Sequence, residues 1–379
     1  MPETLDATTL TQALVRMNTI NPPGHEDQCT TYLAGLLERA GFRCDTYEFA
    51  PRRASLVARI GGGPAKSPLC FTGHVDVVPL GAAPWSRDPF AAEIADGKLY
   101  GRGASDMKSG VAAFVTAAIE LAPQLASGPG LVLVITAGEE TGCEGAFHLA
   151  ELHKVENILG TAGAMVVGEP TANYPLVGHK GALWLKAKTR GVTAHGSMPE
   201  RGDNAVYKVA RAVSALERFD FGVAPDALMG PATLNVGTIR GGLNINSVPD
   251  AAEIGIDIRT IPGQRHPELF GCLCRHLGPD VELETILDVE SVYTDPADPW
   301  IRRVFGLMAQ LLGERIVPRS VTYFTDAAAL TPVYAAPPTV ILGPGEPQLA
   351  HQTDEYCFVH RIEQAVVANR ALIGDWCGL

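Results

Sequence analysis

Histidines and acidic residues in this sequence follow apolar segments, in places where their side chains could hold metal ions. The first pair is His74 and Asp76, near the end of the apolar run at 69–78. Residues two apart on a strand point to the same face, so these two side chains lie next to each other. A carboxylate commonly orients a histidine that binds a metal. We therefore predict that His74 is a metal ligand and that Asp76 orients its imidazole ring.

A further candidate, Asp106, stands in the glycine-rich run 101–108, just before a predicted helix. An aspartate in this place is usually a helix N-cap. Its two oxygens could instead bridge two metal ions, since the ions of a paired site lie only about 3.5–4 Å apart. We predict the bridging role for Asp106.

Two adjacent glutamates, Glu139 and Glu140, directly follow the apolar run at 131–137. In a solvated loop this pair would carry no function, but at the end of a buried strand the two carboxylates would repel and lose hydration. A metal ion offsets both costs for one of them. We predict that Glu140 is a ligand and that Glu139 is the general base, which takes a proton from water and delivers it to the leaving amine.

The last two candidates also stand after apolar segments. Glu169 follows the run at 164–167, and His351 lies in the loop after 339–342. Together the predicted ligands are two histidines and three carboxylates: His74, Asp106, Glu140, Glu169 and His351. Nitrogen and oxygen ligands without thiolate suit zinc. We predict two Zn²⁺ per subunit, with Co²⁺ or Mn²⁺ able to substitute.

The segments between these residues predict how they are positioned. Strands are predicted at 55–60, 69–78, 131–137 and 164–167, and helices at 8–20, 27–40, 108–121 and 147–152. This alternation is typical of an α/β fold with a mixed, mostly parallel sheet and helices on both faces. In such sheets, sites form beyond the carboxyl ends of the strands, where the candidate ligands stand.

A different pattern begins near residue 178. Strands at 183–189, 233–239, 253–259 and 281–286 alternate with helices at 204–219 and 266–277 in the order β-α-β-β-α-β, which is a ferredoxin-like unit. The first pattern then resumes with a helix at 299–312, a strand at 339–342 and a helix at 361–376. We predict a discontinuous catalytic domain, 1–177 and 291–379, and an inserted domain at 178–290.

Composition excludes several classes of function. The chain of 379 residues carries a net charge of −12, which argues against binding nucleic acid or anionic membranes. Its eight cysteines are scattered and form no C-x-x-C pair, which favours reduced thiols over a thiolate zinc site. The N-terminus lacks the features of a signal peptide, and no apolar run approaches the ~20 residues of a membrane span. We predict a cytoplasmic protein.

Three runs in order, GHVDVVP at 73–79, YGRGASDMK at 100–108 and EETG at 139–142, resemble the acetylornithine deacetylase / succinyl-diaminopimelate desuccinylase family. This family also includes aminoacylases, glutamate carboxypeptidases and dipeptidases. The segments at 193–199, 241–249 and 257–263 extend the resemblance into the inserted domain. It implies that this domain is a lid and dimerisation domain. It also implies that His195 stabilises the oxyanion, often from the partner subunit of a homodimer, and that Asn244 and Arg259 hold the substrate carboxylate.

The predicted reaction is metal-dependent hydrolysis of the amide in a small N-acyl amino acid, as in acetylornithine deacetylase. A dipeptidase, a carboxypeptidase or a succinyl-diaminopimelate desuccinylase would use the same residues and differ only in pocket shape. The loop at 323–329, which contains Thr325, is predicted to line that pocket and does not match the loop expected of a strict desuccinylase. A catalytically silent binding protein is a remote alternative, because the predicted base and every predicted ligand are present.

Overall fold

The computed structural model describes residues 6–63 and 65–379, which form two compact units. Unit 1 contains the described residues up to Gly178, together with Tyr293–Arg319 and Thr325–Leu379. Unit 2 contains His179–Val292 and the short segment Ser320–Phe324. Two short strands, β8 (Gly178–His179) and β13 (Val292–Tyr293), lie where the chain passes from one unit to the other.

Unit 1 contains a six-stranded sheet in the order β1-β2-β6-β3-β7-β14. Its strands are β1 (Arg43–Ala50), β2 (Arg53–Ile60), β3 (Leu69–His74), β6 (Leu131–Thr136), β7 (Ala164–Val167) and β14 (Thr339–Ile341). The four strands β6, β3, β7 and β14 run parallel, whereas β1 and β2 are antiparallel to their neighbours. The mixed, mostly parallel sheet predicted from the sequence is confirmed.

Helices cover both faces of this sheet. They are α1 (Ala7–Val15), α2 (Asp27–Arg39), α3 (Ser109–Leu125), α4 (Glu144–Glu156), α7 (Pro299–Leu312), α8 (Ala327–Val333) and α9 (Val359–Cys377). The crossover from β3 to β6 and the crossover from β6 to β7 run in opposite directions across the sheet. Because such crossovers are right-handed, α3 and α4 must lie on opposite faces. Helices α1 and α9 pack with α3, and α8 packs with α4.

The parallel strands bring the candidate ligands to one edge. His74 is the last residue of β3, Glu139 and Glu140 follow β6, and Glu169 follows β7. The buried strands β6 and β7 end at Thr136 and Val167, and the glutamates stand in the loops two to four residues further on. The carboxyl ends of parallel strands meet at the same edge, as the sequence predicted.

The first helix is shorter than predicted, and the reason concerns the site. Helix α1 ends at Val15 rather than at residue 20. The chain then runs beside the segment after β3: the Val77 N–H donates to the Thr19 carbonyl at 3.1 Å, and the Asn21 N–H donates to the Val77 carbonyl at 2.8 Å. The residue before a proline avoids helical geometry, and Pro22 follows Asn21. Extended backbone therefore replaces the last predicted helical turn.

Several elements of unit 1 were absent from the sequence prediction. Strand β1 and helix α8 are among them, as is a three-stranded sheet of β4 (Ile94–Ala95), β5 (Lys98–Tyr100) and β15 (Tyr356–Phe358). Strand β15 pairs with β5. This pairing places the loop after β5, which contains Asp106, next to the loop before β15, which contains His351.

Gly110 allows helix α3 to approach the loop that carries Glu169. A Cβ atom at Gly110 would lie 1.9 Å from the Gly168 carbonyl oxygen. We expect Gly110→Ala to lower the free energy of unfolding by about 2 kcal/mol, because the backbone must shift to relieve the overlap. The shift should also weaken metal binding through Glu169. Denaturant unfolding and metal titration would measure the two effects.

Gly306, inside α7, provides a matched control. A Cβ atom there would meet nothing within 4 Å. Gly306→Ala should raise the free energy of unfolding by about 0.5–1 kcal/mol, because alanine loses less backbone entropy in a helix. If the two substitutions changed the free energy of unfolding in the same way, the close approach of Gly110 to Gly168 would not determine stability.

Unit 2 has the ferredoxin-like order predicted from the sequence. Its elements are β9 (Gly181–Arg190), α5 (Ala205–Leu216), β10 (Thr233–Gly241), β11 (Ala251–Thr260), α6 (His266–Leu277) and β12 (Val281–Val289). The antiparallel sheet has the order β10-β11-β9-β12. Leu185 and Ile256 belong to a core that these strands share with Val209 of α5 and Leu273 of α6.

Across 6–63 and 65–379, no helix combines the length and the apolar character that crossing a bilayer requires.

Candidate metal centre

Asp106 faces a different histidine with each of its oxygens. Its Oδ1 lies 3.4 Å from Nε2 of His74, and its Oδ2 lies 3.4 Å from Nε2 of His351. The alternative reading of Asp106 as an N-cap does not describe this structure, because α3 begins at Ser109 with Lys108 as its cap residue. A carboxylate with one oxygen toward each histidine has the arrangement that bridging two ions requires.

The glutamates are divided between the two sides of Asp106. On the side of His74, Nε2 lies 3.8 Å from Oε1 of Glu169 and 4.0 Å from Oε2 of Glu139. On the other side, Nε2 of His351 lies 2.9 Å from Oε2 of Glu140. His74 is 1% exposed, whereas the side chain of His351 is 54% exposed. One side of the cluster is therefore enclosed, and the other opens to solvent.

The donor atoms lie close enough together to hold a metal ion. Two overlapping sets, which share His74, have all their ligand atoms within 4.8 Å of one another: His74, Asp106 and Glu140, and His74, Glu139 and Glu169. The buried Oε1 atom of Glu140 has no hydrogen-bond partner among the residues that the structure describes. An unpaired buried carboxylate oxygen is costly unless a cation contacts it.

The charges in the cluster support the same reading. Burial raises the pKa of Glu139 and the pKa of Glu169 well above the usual range, and it raises the pKa of Glu140 to about 7. Burial also acts to raise the pKa of Asp106, but hydrogen bonds with the two histidines outweigh it and lower that pKa. Four carboxylates thus surround two imidazole rings, and divalent cations would balance the excess of negative charge.

Asp76 connects the histidine loop to the glutamate loop. The backbone carbonyl of Asp76 lies 2.9 Å from Nδ1 of His74, and its Oδ1 lies 3.4 Å from the same atom. The carboxylate also accepts the backbone N–H groups of Glu139, at 3.1 Å, and Glu140, at 3.2 Å. Asp76 therefore contacts the ring of His74 through its carbonyl and its carboxylate, and the carboxylate also holds the backbone of both glutamates.

Asn21 belongs to this network and was missed in the sequence analysis. Its Nδ2 donates to the Asp76 carboxylate and to the Thr141 hydroxyl, both at 2.9 Å. The extended backbone after α1 brings it there. Only the Asn-Pro-Pro sequence at 21–23 could have indicated an irregular segment, and it contains no sign of a contact 55 residues away.

The segment around Thr325 contains a buried carboxylate, Asp326, to which the sequence analysis assigned no role of its own. Thr325 is fully buried, and its hydroxyl accepts the Ala327 N–H at 3.2 Å, at the start of α8. The next residue, Asp326, accepts a hydrogen bond from the Thr136 hydroxyl, and burial raises its pKa to about 6. Its Oδ1 is buried and unpaired within the described part of the chain.

A family assignment follows from the sequence. The family model described as "Peptidase family M20/M25/M40" matches residues 70–375, which include Glu139 and every predicted metal ligand. The chain belongs to peptidase family M20/M25/M40. This membership confirms the resemblance noted in the sequence and the predicted class, a hydrolase.

The curated relatives of this M20 chain include two kinds of deacylase. It is 31% identical over 359 residues to an acetylornithine deacetylase of Proteus mirabilis, with 91% of this chain and 89% of the relative covered. It is 30% identical over 375 residues to a probable succinyl-diaminopimelate desuccinylase of Staphylococcus epidermidis, with 90% and 91% covered.

Solved structures of M20 proteins share its fold. A metallo-carboxypeptidase of Sulfolobus solfataricus matches with a TM-score of 0.81 at 19% identity, covering all of both chains. A Bacillus subtilis protein, described as a dinuclear metal-binding peptidase, matches with a TM-score of 0.70 at 15% identity over 97% of each chain. The predicted combination of an α/β domain and an inserted ferredoxin-like unit is thus confirmed.

The other predicted site residues of this M20 chain lie in unit 2. His195 is exposed, and its Nδ1 lies 2.8 Å from the Ser197 hydroxyl. Asn244 is exposed in the loop after β10. Arg259 pairs with Asp257: the two side chains approach to 2.9 Å at Nε and 3.3 Å at Nη2.

Proposed function

We propose that the chain is a dinuclear metal amidohydrolase that cleaves the amide of an N-acyl amino acid, in the manner of an acetylornithine deacetylase. The observation that carries this proposal is the position of Asp106, with one oxygen toward His74 and the other toward His351. The side chains around it supply nitrogen and oxygen donors without thiolate, which favours zinc and tolerates cobalt or manganese.

The ligand assignment divides the donors around the bridging carboxylate. His74 and Glu169 would hold one ion, Glu140 and His351 would hold the other, and Asp106 would contact both. When bound, the two ions would polarise the amide carbonyl and make water more acidic. The match to a protein described as a dinuclear metal-binding peptidase supports a count of two.

Glu139 would carry the proton in this reaction. Its carboxylate is buried beside His74, and Asp76 holds its backbone N–H. Glu139 removes a proton from water as the water oxygen bonds to the amide carbon. It then delivers that proton to the amide nitrogen as the C–N bond breaks. The products are a free carboxylate and a free amine.

Three predicted site residues of unit 2 have side chains suited to binding a substrate. Arginine binds a carboxylate with two parallel hydrogen bonds, and Asp257 already aligns the guanidinium of Arg259. We assign Arg259 and Asn244 to the substrate carboxylate, Thr325 to the substrate pocket and His195 to the oxyanion. His195 would act from the partner subunit of a homodimer. The eight free cysteines support a reducing compartment such as the cytoplasm.

Arg259→Lys should raise KM about 10- to 100-fold with little change in kcat, because it removes a charged hydrogen bond worth roughly 1.5–3 kcal/mol. The comparison uses one substrate with a free carboxylate and its methyl ester. Wild type should prefer the free acid, and the variant should lose that preference. Arg240→Lys, at an exposed position of the same unit, is the control. An unchanged preference in Arg259→Lys would contradict the assignment.

The relatives support the proposed substrate class. Two of them that cover about nine-tenths of this chain, from Proteus mirabilis and Myxococcus xanthus, are acetylornithine deacetylases at 31% and 33% identity. A second candidate is exopeptidase activity, favoured by the TM-score of 0.81 to a metallo-carboxypeptidase. Both reactions use the same water, base and leaving amine.

Amine release from a substrate panel tests the proposal. Zinc- or cobalt-loaded protein, with a chelated control, is assayed against N-acetylornithine, N-succinyl-diaminopimelate, other N-acyl amino acids and dipeptides. We expect metal-dependent cleavage of N-acyl amino acids. Cleavage of dipeptides alone would assign the chain to the exopeptidases. Release that the chelator does not affect would contradict the proposal.

A further inference from the structure

A buried ion pair contacts the loop that carries Asp106, and the proposed reaction gives this pair no role. Nη1 of Arg102 lies 2.6 Å from Oε2 of Glu355, and the two residues are 1% and 0% exposed. Taking two charges out of water is costly, so a hydrophobic pair of the same size would often give equal or better stability. The contacts of this pair therefore need a separate explanation.

The carboxylate of Glu355 holds the backbone of the Asp106 loop. Its Oε1 accepts the N–H groups of Ser105, at 2.8 Å, and Asp106, at 3.0 Å. Its Oε2 accepts the Gly103 N–H at 3.0 Å. Three backbone donors within four residues thus converge on one carboxylate. This fixes the point from which the Asp106 side chain extends toward both histidines.

The guanidinium of Arg102 holds the His351 loop. Its Nη2 donates to the His351 carbonyl at 3.4 Å, and its Nη1 donates to the Gln352 carbonyl at 3.3 Å. Nη2 also donates to the carbonyl of Pro79, in the segment that follows β3, at 3.3 Å. The planar, five-donor guanidinium can reach all these acceptors together with Glu355, which a lysine ammonium could not.

The pair thus joins two of the ligands on one side of the centre. Asp106 and His351 are both anchored to it directly. Glu140, the third ligand on that side, is held through its N–H by Asp76 instead. On the other side, the ring of His74 is oriented by Asp76, and Glu169 follows β7. Loss of the pair should therefore disturb the ion beside His351 more than the ion beside His74.

We propose that Arg102 and Glu355 are positioning residues that set the affinity of the ion held by Asp106, Glu140 and His351. This inference rests on the proposed dinuclear function. The pair contacts neither substrate nor ion. It acts by placing a bridging carboxylate and an exposed histidine at the distance that a second ion needs, before that ion arrives. Residues that orient metal ligands commonly change metal affinity 10- to 100-fold.

Calorimetric titration of metal-free protein with zinc tests this proposal, because it measures binding without any reaction. Wild type should bind two ions per chain. Glu355→Gln replaces an acceptor oxygen with an amide that repels the Gly103 N–H and Arg102. We expect one binding event to weaken about 10- to 100-fold and the other to stay within about 3-fold. His351→Ala should weaken the same event, and the double variant should add little to it.

Two further variants separate positioning from general damage. Glu26→Gln removes another buried carboxylate, paired with Arg53 at 2.9 Å, and should leave both affinities unchanged. If Glu355→Gln fails to fold, Arg102→Lys is measured instead. It keeps the positive charge but loses the planar guanidinium, and it should weaken the same zinc-binding event. Wild-type affinities at both sites in a folded Glu355→Gln or Arg102→Lys protein would overturn the positioning role. Fewer than two ions bound by wild type would overturn the proposed function itself.

Discussion

Replacing Glu139 by glutamine should lower kcat roughly 10²- to 10⁴-fold and leave two metal ions bound, because a positioned acid-base group contributes that much to the rate. Glutamine has nearly the same shape but cannot accept the proton of water or return it to the amine. The side chain of Glu139 is enclosed beside His74. Steady-state rates and elemental analysis of the purified variant would measure both parts.

The neighbouring glutamate provides the matched comparison. Glu140→Gln alters the side chain that lies 2.9 Å from His351, so it should reduce the metal content as well as the rate. The two substitutions are chemically identical and one residue apart. A Glu139→Gln protein with only one bound ion would show that the assignment of base and ligand is wrong. Near-normal turnover in a folded, fully loaded Glu139→Gln protein would contradict the mechanism.

Replacing Asp106 by asparagine should abolish measurable turnover and reduce the bound metal to one ion or fewer per chain. The amide offers one acceptor oxygen and presents N–H donors where the second oxygen faced a histidine. One of the two contacts at 3.4 Å, to His74 or to His351, is then lost. Zinc calorimetry and elemental analysis would measure the loss.

Asp298→Asn is the control for this substitution. Asp298 caps α7, and its carboxylate accepts the Trp300 and Ile301 N–H groups. Asparagine caps helices about as well as aspartate, so metal content and turnover should stay at wild-type levels. Two tightly bound ions in the Asp106→Asn protein would contradict the bridging arrangement.

Some of the site could be predicted from sequence because it depends on local structure. His74, Glu139, Glu140 and Glu169 stand at the ends of apolar strands, and parallel strands bring such positions to one edge. The ferredoxin-like order of unit 2 followed from its alternating strands and helices in the same way. In each of these cases the pattern within a short segment determines the position of the side chain.

The supporting contacts could not be predicted, because they join segments far apart in the chain. Asn21 reaches Asp76 across 55 residues, and Glu355 reaches the Asp106 N–H across 249. Such pairs depend on how elements pack, and no local pattern encodes them. Helix α1 was predicted too long for a related reason: the segment after it pairs with Val77 instead of continuing the helix.

The central claim, hydrolysis that depends on two ions held around Asp106, is tested most directly by a stepwise metal titration. Metal-free protein receives zinc in fractions of an equivalent, and at each step bound zinc and amine release from N-acetylornithine, or the best substrate of the panel, are measured. We expect binding to saturate at two ions per chain, with activity appearing as the sites fill and disappearing on chelation. Full activity in protein that holds one ion per chain or fewer would contradict the account.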